Sequence, residues 1–249
     1  LEIGAGFGRL TEEYRAYDEV VVLDYSFSQL QYAREQLGDE GYIYVAADAY
    51  KLPFKPGVFD GATMIRVLHH FEDAPRVLSG IRRVMAENAT FILEYASKRN
   101  LKAMLRYHTG RQSWNPYTPD PVEFVELNYN FHADYIKNTL TDNNFAMQRS
   151  IPVSFFRLGL LKKTVPAGLL AGMDSLMQQT GWLVSPSVFT KNQATGNTGS
   201  QIHLSRDDIF ACPLTGSDLT REDDMLINAD GQRWEIHDGI YDFKTPIVH

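Results

Sequence analysis

Three glycines and two acids near the start of the chain have the types and spacing of a ligand-binding loop. Gly4, Gly6 and Gly8 alternate directly after the apolar end of a strand. Glycine lets backbone approach a ligand where a Cβ would collide. Glu2 precedes the first glycine, and Asp24 ends the next strand-like run, EVVVLD. We expect a helix to follow the loop and to point its N-terminal N–H groups at the same place, which is typical of a nucleotide site.

The spacing and the acids narrow the class of nucleotide. A dinucleotide fingerprint runs G-x-G-x-x-G and favours a pyrophosphate, whereas here the third glycine comes one residue earlier. Glu2 is a poor neighbour for a phosphate and a good one for a cationic amine. Asp24 can accept from both ribose hydroxyls, or it simply caps the helix that begins near Ser26 or Ser28. Together these features indicate a nucleoside with an amino-acid tail and no phosphate, S-adenosylmethionine.

Four ordered motifs extend the pattern beyond the glycine loop. They are LEIGAGFGRL, LDYSFSQLQYARE, AADAYKLPFKPGVFDGAT and MIRVLHHFEDAPRVLSGIRRVM. Over roughly residues 1–150, and near SPSVFTKN, the chain resembles the class I S-adenosylmethionine-dependent methyltransferases, with the quinone-biosynthesis branch most similar. The resemblance implies an α/β fold with a Rossmann-like, mostly parallel sheet and helices on both faces. It also implies methyl transfer from S-adenosylmethionine.

The resemblance implies a set of cofactor-binding positions near the carboxyl ends of the strands, where ligands bind in parallel sheets. They are Glu2, Gly4, Ala5, Gly6, Gly8, Asp24, Tyr25, Asp48, Ala49 and Arg66. Asp48 and Ala49 would contact adenine, or Asp48 is only a turn residue before Pro53. Arg66 follows the fourth strand, where family members hold the methionine part through backbone atoms. Its side chain then has no role or pairs with Glu2.

His69 and His70 lie just past the fourth strand, near the expected methyl donor. Histidine transfers protons near neutral pH, so His69 is the candidate catalytic base. The alternative is packing or helix capping, which we favour, because in-line positioning supplies much of the rate of methyl transfer. A dedicated base is needed only if the acceptor must first lose a proton.

Strand-like and helix-like segments alternate along the first half of the chain. YIYVAAD, FDGATMIRVL and ATFILEYAS predict the third to fifth strands. A helix is predicted after the fourth strand, with Asp73 as N-cap and Pro75 in its first turn. Its apolar positions recur with helical period at Val77, Leu78, Ile81, Val84 and Met85. This alternation implies right-handed crossovers and a parallel sheet.

An insertion at about residues 97–120 combines cations with aromatic residues. The residues concerned are Lys98, Arg99, Lys102, Arg106, Arg111, Tyr107, Trp114 and Tyr117. The segment either covers the site and holds an anionic or aromatic acceptor, or contacts single-stranded RNA, or is a solvated helix and loop. Further on, the resemblance places Phe131 and His132 towards the substrate.

A second insertion, at about residues 155–183, separates the two strands of a final hairpin. Its apolar stripe follows Lys162, Lys163 and Pro166 and consists of Leu169, Leu170, Met173, Leu176 and Met177. One interpretation is a lid at a membrane interface or for a lipid-like substrate. We favour a helix packed on the sheet or on a dimer mate, because few basic residues accompany the stripe.

The C-terminal part follows a polar linker at residues 195–203. Residues 204–249 resemble the small zinc-binding activator subunits of tRNA and protein methyltransferases. Cys212 and Pro213 fit that pattern, but Thr215, Ile227 and Asp230 stand at the other ligand positions, and tetrahedral zinc needs four donors. We therefore predict a degenerate zinc-ribbon-like, β-rich module with no metal. Its hairpin is expected to be held by Trp234, Ile236, Ile240, Tyr241 and Phe243.

Composition agrees with an ordinary enzyme. The chain has 249 residues, a net charge of −7 and a single cysteine, which excludes intrachain disulfides and fits a cytoplasmic location. We expect a methyltransferase domain at residues 1–194 acting on a small molecule, and a fragment that begins inside its first strand. Alternatives are an RNA or protein methyltransferase, a non-catalytic S-adenosylmethionine-binding scaffold and, less favoured, an NAD-binding Rossmann protein. The oligomeric state is not indicated.

Overall fold

The computed structural model describes residues 1–156 and 165–247 and has the expected mixed α/β fold. The strands are β1 (Glu2–Ile3), β2 (Val20–Asp24), β3 (Tyr42–Ala46), β4 (Phe59–Met64), β5 (Met85–Ala96), β6 (Val122–Val125), β7 (Asn128–Asn130), β8 (Phe145–Val153), β9 (Ser187–Ala194), β10 (Leu219–Glu222), β11 (Met225–Asn228), β12 (Arg233–His237) and β13 (Ile240–Ile247). The helices are α1 (Phe27–Leu37), α2 (Ala74–Val84), α3 (Leu101–His108), α4 (Ala133–Asp142) and α5 (Ala167–Gln178).

The chain divides into two compact units. The first comprises Leu1–Met64, Arg76–Phe91 and Ala194–His249, and the second comprises Ile65–Pro75 and Ile92–Gln193. The predicted boundaries between methyltransferase domain, linker and C-terminal module stay a prediction, because compact units need not coincide with domains.

A mostly parallel sheet organises the first unit. Its strand order is β10-β11-β12-β13-β3-β2-β1-β4, followed by the start of β5. β13, β3, β2, β1 and β4 pair in parallel, whereas β10 to β13 form antiparallel pairs. Buried side chains from β2, α1, β3 and β13 share one core, with Val22, Leu30, Ala33, Tyr44 and Ile240 in it. The C-terminal strands therefore extend the same sheet that carries the glycine loop.

The second unit contains the end of β5, followed in the sheet by β9 and β8. β6 and β7 form a separate antiparallel hairpin. α4 packs beside β8 with Ile136, Thr139 and Leu140 buried. α5 lies between β8 and β9 in sequence, so the interrupted hairpin has the expected order of elements. None of the helices within residues 1–156 and 165–247 is long and apolar enough to span a membrane.

The helix expected directly after the glycine loop is absent, and that prediction was wrong. A single 3-10 turn, Thr11–Tyr14, takes its place. The Thr11 N–H donates to the Gly8 carbonyl at 3.2 Å, and the Thr11 hydroxyl donates to Glu2. These contacts fold the segment before a full helical turn can form, so no helix N-terminus is available here for an anion.

The polar segment after β9 is held by a buried arginine. Arg82 of α2 donates to the carbonyls of Thr195 and Gly196 and, at 3.1 Å, to the Thr198 hydroxyl. Burial lowers the pKa of its guanidinium. The segment interpreted as a linker is therefore attached to α2 by charge-assisted hydrogen bonds.

Candidate functional site

The glycine loop is attached to the tip of β2 by backbone hydrogen bonds. The Gly4 and Ala5 N–H groups both donate to the Leu23 carbonyl, at 2.8 and 3.0 Å. The Gly6 N–H donates to Asp24 Oδ2 at 2.8 Å. Because β1 and β2 are parallel neighbours, the loop curls over the carboxyl end of the sheet, where a ligand is expected.

Two of the glycines cannot carry a side chain without disturbing the loop. Gly6 has φ +58° and Gly8 has φ +80°, in the region that favours glycine. A Cβ on Gly6 would lie 2.8 Å from Gln29 Oε1. A Cβ on Gly8 would lie 2.8 Å from Leu37 Cδ1. The loop is therefore a cradle of bare backbone packed on α1, as close approach of a nucleoside requires.

Asp24 joins the loop to the start of α1. Its second oxygen, Oδ1, accepts from the Ser26 N–H at 2.8 Å. Ser26 is the N-cap of α1 and makes no side-chain capping bond. Asp24 thus accepts a hydrogen bond from the N-cap residue of α1, which is close to the alternative role of helix capping. A carboxylate has about four acceptor sites, so ribose hydroxyls can still bind, and the ribose role stays a prediction.

Glu2 is a buried acid beneath the loop. Its Oε2 accepts the Thr11 hydroxyl at 2.5 Å. Burial raises the pKa of this carboxyl, and the hydrogen bond from Thr11 partly opposes the rise. A nearby cation would favour the charged form of Glu2, and its contact with a cationic amine stays a prediction.

The loop after β3 carries Asp48 and Ala49. Asp48 Oδ1 accepts the Tyr50 N–H at 2.9 Å and caps a short 3-10 turn, Ala49–Lys51. Arg83 of α2 donates to the carbonyls of Leu52 and Phe54 at 2.8 and 2.6 Å and fixes the loop beyond. Asp48 is thus a turn residue, as one of the two interpretations expected. Contact with adenine stays a prediction for Asp48 and Ala49.

Tyr25 follows Asp24 and is exposed. The Lys244 Nζ of β13 lies 5.9 Å from the centre of its ring and 5.5 Å from that of Phe27. Lys244 also pairs with Asp242 at 3.4 Å. The sequence analysis missed Lys244, because its approach to this loop follows from the pairing of β13 with β3 and has no local signal.

Arg66, in the second unit, has a left-handed backbone with φ +63°. Its N–H donates to Glu94 Oε2 at 2.8 Å, and the Ser187 hydroxyl donates to Glu94 Oε1. Glu94 is buried in β5. Sequence reasoning missed this pair, although an acid inside the apolar run ATFILEYAS was the available signal.

His69 lies in the second unit, in a half-buried position, and its role as a catalytic base stays a prediction. Burial lowers its pKa to about 4, with smaller contributions from His70 and Arg66. Its ring centre lies 4.0 Å from that of His70. The imidazole is therefore neutral at pH 7 but a weak base, since an efficient base has a pKa near the working pH.

The first insertion separates into one buried and several exposed cations. Lys98 is buried and donates to the Thr118 hydroxyl at 3.1 Å and to the Asp120 carbonyl at 2.7 Å. It therefore closes the insertion and does not belong to a cationic surface, contrary to the sequence grouping. The exposed cations are Arg99, Lys102, Arg106 and Arg111.

Phe131 and His132 lie at the carboxyl end of β5 and are buried. The Phe131 N–H donates to the Ala96 carbonyl at 2.8 Å. His132 Nδ1 accepts the Asp134 N–H at 3.2 Å, so the proton of the neutral ring is assigned to Nε2. Nε2 has no hydrogen-bond partner among the described residues. A buried donor of this kind calls for a water molecule or a ligand oxygen.

In the second insertion, Lys162 and Lys163 lie outside the described residues. α5 forms as predicted and is attached to the end of β8 by Asp174, which accepts the Ser154 and Phe155 N–H groups at 3.1 and 2.8 Å. No residue of α5 is buried. α5 contacts β8, and Leu170 and Met177 of the stripe are half-buried on the side of Asp174, so the expected packing on the sheet holds for this part of the stripe. The other three stripe residues are exposed.

In the C-terminal strands, Cys212 takes part in a hydrogen-bonded turn. Its Sγ accepts the Thr215 N–H at 3.4 Å and the Asn228 Nδ2 at 3.5 Å. The five apolar side chains expected to hold the hairpin are buried: Trp234, Ile236, Ile240, Tyr241 and Phe243. Across the described ranges, no group of three or more His, Cys, Asp or Glu residues is placed to hold a metal.

Comparisons with known sequences address the first part of the chain. Residues 1–93 match the family described as methyltransferase domain. The ubiquinone/menaquinone biosynthesis C-methyltransferase UbiE of Stutzerimonas stutzeri is 33% identical over 148 residues, covering 55% of this chain and 57% of that protein. UbiE of Idiomarina loihiensis is 34% identical over 105 residues, covering 39% and 42%. The chain thus spans about half the length of these curated relatives.

Comparisons with solved structures address the fold. An S-adenosylmethionine-dependent methyltransferase from Mesorhizobium loti has a TM-score of 0.56 at 19% identity, covering 77% of this chain and 88% of that one. A chain from the complex between the Haloferax volcanii Trm112 methyltransferase activator and a methyltransferase also has a TM-score of 0.56, at 14% identity, covering 79% and 81%. At these identities the comparisons establish a shared fold.

Proposed function

We propose that the chain is a class I S-adenosylmethionine-dependent methyltransferase that methylates a small, quinone-like acceptor. The match of residues 1–93 to a methyltransferase domain and the fold shared with S-adenosylmethionine-dependent methyltransferases support this proposal. The bonds of Asp24 to Gly6 and Ser26 carry the cofactor part of the proposal. They give the bare glycine loop a fixed shape beside a carboxylate that still has acceptor sites for ribose hydroxyls.

The residues of the first unit fit this cofactor. Gly6 and Gly8 allow the loop to pack closely on α1 in a left-handed backbone, and glycine backbone is what a nucleoside can approach closely. Asp24 would bind the ribose hydroxyls, Asp48 and Ala49 the adenine, Tyr25 the adenosine portion, and Glu2 would lie nearest the cationic amine. When bound, S-adenosylmethionine supplies a methyl group on a positively charged sulfur. The contribution of the protein is then to position the acceptor in line with that methyl group.

The small-molecule acceptor is supported by the relatives and by His132. The curated relatives are named as ubiquinone/menaquinone biosynthesis C-methyltransferases, so a ring carbon is the proposed site of methylation. His132 presents a buried Nε2–H that lacks a partner within the described residues. A carbonyl or hydroxyl oxygen of a quinone-like ring would satisfy this donor. His69, with its pKa of about 4, is proposed to pack and not to take the proton. A cytoplasmic location, supported by the single cysteine, is part of the same proposal.

The test separates binding from transfer. Calorimetric titration with S-adenosylhomocysteine is expected to show binding that NAD does not compete with. Labelled cofactor is then incubated with the protein and fractionated lysate, and label is expected in extractable lipids or small metabolites. His132→Phe is expected to lower transfer and to leave S-adenosylhomocysteine binding unchanged.

Each alternative gives a different result. Label in RNA or in protein alone would overturn the small-molecule acceptor. Binding of S-adenosylhomocysteine without transfer to any fraction would favour a scaffold. Binding of NAD in preference to S-adenosylhomocysteine would overturn the cofactor assignment.

A further inference from the structure

One side of the helix α5 is exposed, namely the side that does not face β8. Leu169, Met173 and Leu176 recur at i, i+4 and i+7 and so share one face. Their exposed fractions are 58%, 43% and 66%. Asp174, which lies about 100° further round the helix, attaches the other side to the end of β8. The exposure is therefore a consequence of how α5 is attached.

Hydrogen bonds connect this face to α3. The Thr180 hydroxyl donates to the Met177 carbonyl at 2.7 Å and accepts from the Trp182 N–H at 3.2 Å. The Val184 N–H donates to the Trp182 carbonyl at 2.8 Å, and the Leu101 N–H at the start of α3 donates to the Val184 carbonyl at 3.0 Å. The end of α5, Trp182 and the start of α3 are thus neighbours.

α3 adds apolar and basic side chains to the same region. Leu101 and Leu105 lie one turn apart and are exposed, as is Trp182 at 65%. Leu169, Met173, Leu176, Trp182, Leu101 and Leu105 are called the apolar face below. Lys102 and Arg106 follow the two leucines of α3 and are exposed, and the Arg111 N–H donates to the Arg106 carbonyl at 2.8 Å.

The local charge opposes that of the whole chain. The net charge is −7, yet no acid occurs between Glu94 and Asp120 in sequence. Asp174 is the one acid of α5, and both of its oxygens accept backbone N–H groups. Aliphatic side chains, an interfacial tryptophan and uncompensated cations form the combination that binds anionic lipid surfaces.

We propose that the apolar face and the cations of α3 dock this protein on an anionic lipid bilayer. The apolar side chains enter the boundary between headgroups and acyl chains, and Lys102 and Arg106 contact lipid phosphates. A second copy of the chain is a poorer occupant, because a symmetric contact brings the same cations together. RNA is a poorer occupant because most of the face is aliphatic and offers few rings for base stacking.

The test is co-sedimentation of the full chain with two kinds of vesicle. Binding is expected to vesicles of phosphatidylcholine and phosphatidylglycerol in equal parts, and not to phosphatidylcholine alone. High salt should weaken it, because surface charges are screened. Leu169→Ser with Met173→Ser and Leu176→Ser should reduce partitioning about tenfold or more. Lys102→Glu with Arg106→Glu should have an effect of about the same size.

A matched control lies in the β6–β7 hairpin. Phe124 and Leu127 are also exposed, but Glu123 and Glu126 flank them. Phe124→Ser with Leu127→Ser should leave vesicle binding unchanged. Trp182 gives a second readout, since its fluorescence should shift to the blue on binding and Trp182→Phe should abolish that shift. Thermal denaturation establishes that each variant is folded.

Four results would overturn the proposal. The first is that the wild type and the α5 variant bind vesicles equally, and the second is that the protein binds both kinds of vesicle equally. The third is that no vesicle binds and analytical ultracentrifugation shows a dimer that the α5 variant dissociates. The fourth is that no vesicle binds and an RNA oligomer is retained through Lys102 and Arg106. Neither readout needs methyl transfer, so the docking proposal fails or stands separately from the proposed activity.

Discussion

Two carboxylates in different units each accept a hydrogen bond from the N–H of a residue with left-handed backbone. Asp24 accepts the N–H of Gly6, which has φ +58° and follows β1. Glu94 accepts the N–H of Arg66, which has φ +63° and follows β4. A left-handed backbone costs glycine little, whereas it costs an arginine roughly 1 kcal/mol or more. The turn at Gly6 is therefore favoured by its own sequence. The turn at Arg66 depends on its hydrogen bond to Glu94.

The two acids also differ in the distance of their partners along the chain. Asp24 binds groups 18 and 2 residues away. Glu94 binds groups 28 and 93 residues away. A motif of consecutive residues can encode the first arrangement, whereas the second requires that β5 and β9 already be paired. The comparison predicts different consequences when each acid is removed.

Removal of Asp24 is expected to have the largest effect, on ligand binding. Asp24→Ala leaves the Gly6 and Ser26 N–H groups without their acceptor and removes the proposed ribose contacts. Loss of two or more charge-assisted hydrogen bonds should weaken S-adenosylhomocysteine binding about 100-fold. Isothermal titration measures the change, with the exposed Glu35→Ala of α1 as control. An unchanged dissociation constant would mean that Asp24 serves only the start of α1.

The second effect is on stability and falls on Glu94. Glu94→Gln replaces a carboxylate that accepts two hydrogen bonds in the interior of β5. The free energy of unfolding should fall by about 2 kcal/mol, and Ser187→Ala should cost about 1 kcal/mol. Urea denaturation gives both values.

A double variant tests whether Glu94 acts through the turn at Arg66. Arg66→Gly removes the demand for a left-handed arginine, so the cost of Glu94→Gln should be smaller in that background. Strict additivity of the two changes would show that the strained backbone and the acid are independent, and the comparison with Asp24 would fail.

Gly6 and Asp24 can be placed together from the sequence because they lie within one strand–loop–strand unit and contact each other there. Their binding of the cofactor stays a prediction. The parallel sheet was predicted because alternating apolar segments leave few topologies. Glu94 was missed because its role depends on Ser187, whose strand is remote in sequence.

The errors arose where local pattern competes with tertiary contact. The helix expected after Gly8 is replaced by a short turn, because Thr11 bonds to buried Glu2. Lys98 belongs to a cationic run but is buried by its contacts with Thr118 and Asp120. In both places one side chain, Glu2 or Lys98, makes a hydrogen bond that the periodicity of the sequence does not predict.

A third and smaller effect concerns pH and the 3-10 turn Leu68–His70, which follows Arg66 and contains His69. Burial holds the pKa of His69 at about 4, below its ordinary value of 6.5. Between these values the unfolded chain binds more protons than the folded one, so stability falls as pH decreases from about 6.5 to 4. Because the ring is partly exposed, solvent screening reduces the loss to about 1 kcal/mol. His69→Gln should flatten this part of the stability profile.

The same variant tests catalysis. If His69 only packs, His69→Gln should leave kcat for methyl transfer within about fivefold, whereas loss of a general base costs about 100-fold or more. A large fall in kcat in a variant whose stability no longer changes with pH between about 4 and 6.5 would show that His69 acts as the general base.

The smallest expected effect tests a third turn, held by sulfur instead of a carboxylate. Cys212 Sγ accepts the Thr215 N–H as Asp24 accepts that of Gly6, and Asn228 donates to the same sulfur. Since hydrogen bonds to sulfur are weak, Cys212→Ala should lower the free energy of unfolding by about 1 kcal/mol. A zinc chelator should not change the melting temperature, because Thr215 and Ile227 replace donors that a tetrahedral site requires. A fall of many degrees with chelator would mean that metal, and not this set of hydrogen bonds, holds the turn.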